Sequence, residues 1–258
     1  MGLFSKKKQE APAQEQPQKQ EPAQAVPEMS EELQNRVAEV FFKSLEEKRR
    51  TDPLIGAKLG SKEIFGRLQQ AVADPDGRVN VNILLLHLSA LAGMACQMTC
   101  RQIAVQNGKP EEVYFVAAGT KDGRRYFLGD ALNKYLLEGQ YSLWSLAAGI
   151  YRHLKPDAQL PDPRPWVTDC VAHLGKADYK LFGYIPEEEL RVHTRTLWEQ
   201  LRPVAEKFTV SPEEMPVLFG LAMQQGIDTA AKAISAEEAV GIAMQTALLT
   251  AKFDYTRE

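Results

Sequence analysis

The sequence predicts a mainly α fold (α+β at most), a multi-helix globular body with a single β-hairpin. Apolar residues recur at helical spacing through most of the chain after residue 29. The segment Val79–Val105 is apolar on nearly every side in its first half, as is typical of a helix enclosed by others. The clearest pair of β-prone runs flanks the turn sequence Lys121-Asp122-Gly123. These three observations define the expected fold.

The composition is that of an ordinary folded protein. The 258 residues are 44% hydrophobic and 25% charged, and the formal net charge is −3. Such a balanced charge argues against a nucleic-acid partner. Three cysteines cannot form a disulfide framework, so we expect a cytoplasmic setting, and we expect a bacterial origin. A membrane-spanning helix needs about 18 consecutive apolar residues, and no run in the sequence is that long, so no transmembrane segment is predicted.

The chain is expected to have four regions. Residues 1–29 are rich in Gln, Pro, Lys and Glu, which predicts a disordered tail with little to bury. Its tip carries Leu3 and Phe4 ahead of three lysines, which would allow transient contact with an anionic membrane, although a solvated, disordered terminus is the simpler interpretation. Residues 30–155 hold helices and the hairpin, residues 156–165 form a proline-rich linker, and residues 166–258 are helical. We expect the two helical regions to pack as one body.

The first helices follow from their caps and periodicity. Ser30 is placed to cap a helix whose apolar residues share one face, which we expect to be buried: Leu33, Val37, Val40, Phe41 and Leu45. A shorter helix is predicted over Lys62–Val72, before the turn Asp74–Gly77. The apolar segment after that turn is expected to lie at the centre of the fold.

The middle of the chain predicts the hairpin and two further helices. The hairpin strands are expected at Val113–Ala117 and Arg124–Leu128. Asp130 is predicted to cap the next helix, and Ser142 the one after it.

The last hundred residues predict more helices. A short one is expected over Trp166–Leu174, and Glu187, Glu188 and Glu189 are expected to form the solvated first turn of another. Pro203 predicts a kink or a fresh start in the following helical face. The capping-box patterns that begin at Ser211 and Ser235 predict the starts of two more.

A cysteine and histidine set is one candidate for chemistry. Cys96 and Cys100 are spaced i, i+4 on the central helix, and Cys170 and His173 are spaced i, i+3 on another. Together they have the donor types of a tetrahedral zinc site. The alternative is that the thiols are small apolar fillers of the core, since free cysteine is often buried.

A second candidate lies at the exit of the hairpin. Arg125, Asp130, Asn133 and Trp144 place polar and aromatic groups near one strand-to-helix junction, where they could line a groove for a small molecule or a peptide. The simpler interpretation is an edge charge, a helix cap and a core aromatic residue.

These observations favour a non-enzymatic interaction or regulatory protein, similar to an adaptor, that binds a protein partner or itself. The sequence lacks the glycine-rich phosphate loops GxGxxG and GxxxxGK[ST], the HExxH motif and the GxSxG motif, so no cofactor is expected. Two alternatives remain: a metal protein or enzyme that uses the Cys/His set with zinc, and a small-molecule sensor with a pocket beside the hairpin.

Overall fold

The computed structural model describes residues 30–121, 123–176, 180–181 and 185–256. The predicted disordered tail, residues 1–29, lies outside the described residues. The described residues divide into two compact units, with the boundary between Lys43 and Ser44. The described α-helices are α1 Glu31–Arg49, α2 Ile55–Ala71, α3 Val81–Gln106, α4 Asp130–Asn133, α5 Leu143–Leu154, α6 Arg164–His173, α7 Glu187–Glu206, α8 Glu214–Ala230 and α9 Ala236–Thr250. The described strands are β1 Val116–Gly119, β2 Arg125–Leu128, β3 Lys180–Leu181 and β4 Ile185–Pro186.

The mainly α prediction is confirmed, and so is the hairpin. Strands β1 and β2 pair antiparallel, with Val116 opposite Leu128 and Gly119 opposite Arg125. Gly123 lies in the connecting turn with φ +85°, a conformation that favours glycine. Strands β3 and β4 form a second antiparallel pairing of two residues each.

Helix α3 is the centre of the second unit, as its sequence predicts. It packs against α8 and α9, and its residues from Leu84 to Gln97 are all buried. A Cβ atom on Gly93 would lie 2.3 Å from the carbonyl oxygen of Ala247, so glycine is what lets α3 and α9 approach so closely. The core therefore joins elements from before and after residue 160.

By length and composition α3 could also cross a membrane. The qualifying window has a mean hydropathy of 1.6, and 83% of it is buried inside the structure. A core helix passes the same test, so the burial explains the composition.

Helix α2 begins earlier than the sequence predicts, at Ile55 rather than Lys62. Gly56 and Gly60 lie within it, where glycine lowers helix propensity. Both glycines are buried, and a Cβ atom on Gly60 would lie 2.5 Å from Leu218 Cδ1. Gly60 therefore serves the close packing of α2 on α8, whereas Gly56 leaves room for the Arg49 side chain and the carbonyl oxygen of Phe208.

Several predicted caps and turns need correction. Gly129, not Asp130, is the N-cap of α4. The pattern at Ser211 gives no capping box, because α8 begins at Glu214 with no side-chain cap. By contrast, Ser142 and Ser235 cap α5 and α9 through their hydroxyl groups, as predicted. Helix α7 continues through Pro203, so this proline does not begin a new helix.

The predicted inward face of α1 is wrong for four of its five residues. Leu45 is buried, but Leu33, Val37, Val40 and Phe41 are exposed by 47%, 52%, 70% and 41%. Further along α1, Arg49 pairs with Glu214 at 3.0 Å and donates to the carbonyl oxygen of Phe208.

Candidate functional site

The structure does not bring the predicted zinc ligands together. Within the described ranges, no three His, Cys, Asp or Glu side chains are grouped so that they could hold a metal ion. Cys96 and Cys100 lie buried on α3, and Cys100 Sγ donates to the carbonyl oxygen of Ala131 at 3.5 Å. Cys170 is buried on α6, whereas His173 Nδ1 lies 3.0 Å from Asp169 Oδ1.

The electrostatics of the thiols agree with the packing interpretation. Burial raises the pKa of Cys100 to about 12 and also raises the pKa values of Cys96 and Cys170. At neutral pH the three thiols are therefore protonated, and it is the thiolate that binds metal. Their role here is to fill the core.

The predicted site at the hairpin exit is divided between two places. Asp130 and Asn133 line a cavity of about 200 Å³ beside β2, which we call the hairpin cavity. Its apolar walls come from β2, from the helical turns after it and from α6 and α9: Leu128, Leu132, Leu136, Val167, Val171 and Leu248.

Arg125 and Trp144 are not among the residues that line this cavity. Arg125 Nε donates to Asp254 Oδ2 at 2.9 Å, and its guanidinium lies 5.1 Å from the ring centroid of Phe127. Trp144 packs edge-on against Trp166, with 6.1 Å between the ring centroids. These two residues are engaged in packing and in an ion pair.

The residue that the sequence analysis missed is Lys252. It also lines the hairpin cavity, although its side chain is only 6% exposed. Its Nζ donates to the carbonyl oxygen of Leu248 at 2.6 Å, in the last turn of α9. Among the described residues no carboxylate forms an ion pair with it.

Burial determines the electrostatics of this lysine. Desolvation lowers the pKa of Lys252, because the charged form loses its hydration. The neighbouring Cys170 opposes this shift only in part. A buried, unpaired lysine with a lowered pKa in a cavity is a typical functional-site candidate.

The segment after α9 places Lys252 at the cavity. The backbone N–H of Phe127 donates to the carbonyl oxygen of Lys252 at 2.8 Å, and Tyr126 forms an antiparallel bridge with Phe253. The segment thus extends the hairpin at β2. The sequence around Lys252 gives no indication of this long-range pairing. In the sequence, Lys252 is one basic residue that follows an alanine-rich helix.

The predicted first turn of α7 is confirmed, and Glu188 and Glu189 are exposed in it. Glu187, by contrast, is buried, so its predicted solvation is wrong. Its carboxylate accepts a hydrogen bond from the Tyr126 hydroxyl and lies 3.5 Å from Arg124 Nη1. Burial raises the pKa of Glu187, while the Tyr126 hydrogen bond opposes that shift. The residue ties the start of α7 to the hairpin.

The second candidate surface is the exposed face of α1, which we call the α1 stripe: Leu33, Val37, Val40 and Phe41. One flank of this stripe carries four exposed charged residues whose signs alternate along the helix: Glu32, Arg36, Glu39 and Lys43. Clustered apolar side chains in water typically mark an interface.

Comparison with known proteins adds no assignment: no family model, no curated protein and no solved structure matches the chain.

Proposed function

We propose that this chain is a non-enzymatic interaction protein that associates with a second copy of itself through the α1 stripe. The observation that supports the proposal is the exposure of four large apolar side chains on one helical face. A single exposed apolar residue needs no explanation, but a contiguous stripe is costly in water and is stabilised by burial in an interface.

The flanking charges favour a second copy in antiparallel orientation. When two α1 helices cross antiparallel near Val37, residues whose numbers sum to about 75 lie opposite each other. Glu32 of one copy then faces Lys43 of the other, and Arg36 faces Glu39. All four side chains are exposed and lie on the same flank, so every cross-helix pair is attractive.

A parallel pair lacks this match, because the charged flank of each helix then faces the opposite flank of its partner, and the four charges do not meet. The stripe covers only about two helical turns, so the contact is smaller than the roughly 1,200 Å² at which stable interfaces begin. We therefore expect a weak dimer with a Kd of about micromolar order.

Sedimentation velocity over a range of protein concentrations tests the proposal. The wild-type chain should shift from monomer to dimer as its concentration rises. Val37→Asp should abolish the shift, because it places two charges at the centre of the pair. Val105→Asp is the matched control: Val105 is an exposed valine on α3, outside the stripe, and its replacement should leave the dimer intact.

A charge swap tests the antiparallel register. Glu32→Lys with Glu39→Lys makes the flank entirely basic, and Arg36→Glu with Lys43→Glu makes it entirely acidic. Each double variant alone should dimerise more weakly than wild type, and an equimolar mixture of the two should dimerise again. The proposal would be overturned by a wild-type chain that stays monomeric at all concentrations. It would also be overturned if the mixture dimerised no more strongly than either double variant alone.

A further inference from the structure

We propose that the hairpin cavity is a binding site for a small aldehyde, which Lys252 holds covalently as an imine. The site is separate from the α1 stripe and does not depend on self-association. The inference rests on three features: an enclosed lysine side chain, a cavity of matching size, and polar groups at the same wall.

The first feature is the state of the amine. Lys252 is buried and donates one hydrogen bond, to Leu248, and no carboxylate in the described part of the chain pairs with it. The carbonyl oxygen of Leu248 compensates only part of the hydration that a buried ammonium group loses, so Lys252 gives up its proton more readily than an exposed lysine does. A neutral amine that has given one N–H to a carbonyl keeps its nitrogen lone pair available as a nucleophile.

The second feature is size. A volume of about 200 Å³ holds roughly six non-hydrogen atoms, taking about 30 Å³ for each as in liquid water. The walls are largely aliphatic. A straight-chain aldehyde of three to five carbons therefore fits both the space and the lining.

The third feature is a means of moving protons. Asp130 and Asn133 line the same cavity, and the carboxylate of Asp130 is exposed to solvent. The lone pair of Lys252 attacks the carbonyl carbon, and the carbonyl oxygen becomes the hydroxyl group of a carbinolamine. That hydroxyl takes a second proton from the amine and leaves as water, so aldehyde plus amine gives imine plus one water with no change in oxidation. Asp130 can accept the proton from nitrogen and return it to the leaving oxygen.

Reductive trapping tests this inference on the full chain. The protein is incubated with butanal and cyanoborohydride at neutral pH, and the labelled lysines are then quantified by peptide mass spectrometry. Lys252 should acquire one butyl group about tenfold faster than Lys232, an exposed lysine paired with Asp228 at 3.7 Å.

A cavity variant separates true binding from general reactivity. Val171 lines the cavity and is 47% exposed, so Val171→Trp is expected to fill the space without unfolding the chain. This variant should slow labelling at Lys252 and leave labelling at Lys232 unchanged, with an unaltered melting temperature as the folding control. Labelling of Lys252 no faster than Lys232, or equal labelling of Lys252 in the folded variant, would overturn the inference.

Discussion

The side-chain nitrogen of Gln97 lies 2.8 Å from the carbonyl oxygen of Phe253, so the central helix directly holds the segment that carries Lys252. The same nitrogen donates to Ala251 at 2.9 Å, and Gln97 is fully buried. This polar contact inside an apolar helix fixes the wall of the hairpin cavity.

Replacement of Gln97 by Leu should destabilise the chain by about 3 kcal/mol, because two buried carbonyl groups lose their donor. Urea denaturation measures the loss, and hydrogen exchange should increase at residues 251–255. Gln102→Leu is the control, since Gln102 is exposed on the same helix and its loss should have little effect. Equal stability of the two variants would contradict the anchoring role of Gln97.

Glycine substitutions separate close packing from helix propensity. Gly93→Ala should cost about 2 to 3 kcal/mol, because the new methyl group would lie 2.3 Å from both the Ala247 carbonyl oxygen and Thr250 Oγ1. Gly66→Ala, in α2, meets nothing within 4 Å and should stabilise by about 1 kcal/mol. Thermal unfolding of the two variants should therefore shift in opposite directions.

His87 makes stability depend on pH. It is 8% exposed, its Nδ1 lacks a hydrogen-bond partner, and burial together with nearby His193 lowers its pKa from 6.5 to about 4. The unfolded chain therefore binds a proton at a higher pH than the folded chain does. Stability is lost as the pH falls from about 6.5 to about 4, by about 3 kcal/mol in total from this residue.

The variant His87→Leu should lose this part of the pH dependence when urea denaturation at pH 7 and pH 4.5 is compared. His153 is exposed, so His153→Leu should behave like wild type. A pH dependence that is unchanged in His87→Leu would show that other groups account for it.

Lys252→Met should raise the free energy of unfolding at pH 7, because the variant removes a buried amine without removing its apolar stem. The pKa of Lys252 in the folded chain lies below its ordinary value of 10.5. At a pH between these two pKa values, Lys252 is therefore protonated in the unfolded chain and largely neutral in the folded chain. Wild-type stability therefore rises with pH in that window, and the advantage of the variant should shrink toward pH 10.5. Lys232→Met is the control, and it should differ little from wild type at either pH.

The sequence predicted the elements better than the surfaces they present. Helical spacing and the turn at Gly123 identified the central helix and the hairpin, because both signals are local. The same spacing suggested a buried α1 face, but periodicity reports only which residues share a face, and not what covers them.

Two of the four residues predicted at the hairpin exit, Asp130 and Asn133, line the hairpin cavity, because both follow β2 closely in the chain. Lys252 was missed because it reaches the cavity through a pairing with Phe127, more than a hundred residues away, and sequence patterns carry no record of such contacts.

The burial of α3 between α8 and α9 has a consequence during synthesis. On the order of 100 residues separate α3 from α8. At roughly 5 to 20 residues per second, the ribosome therefore takes about 5 to 20 seconds after α3 to reach α8. Throughout that interval the apolar residues of α3 lack the helices that cover them in the folded protein. Until the later helices are made, such an exposed apolar segment is prone to aggregation.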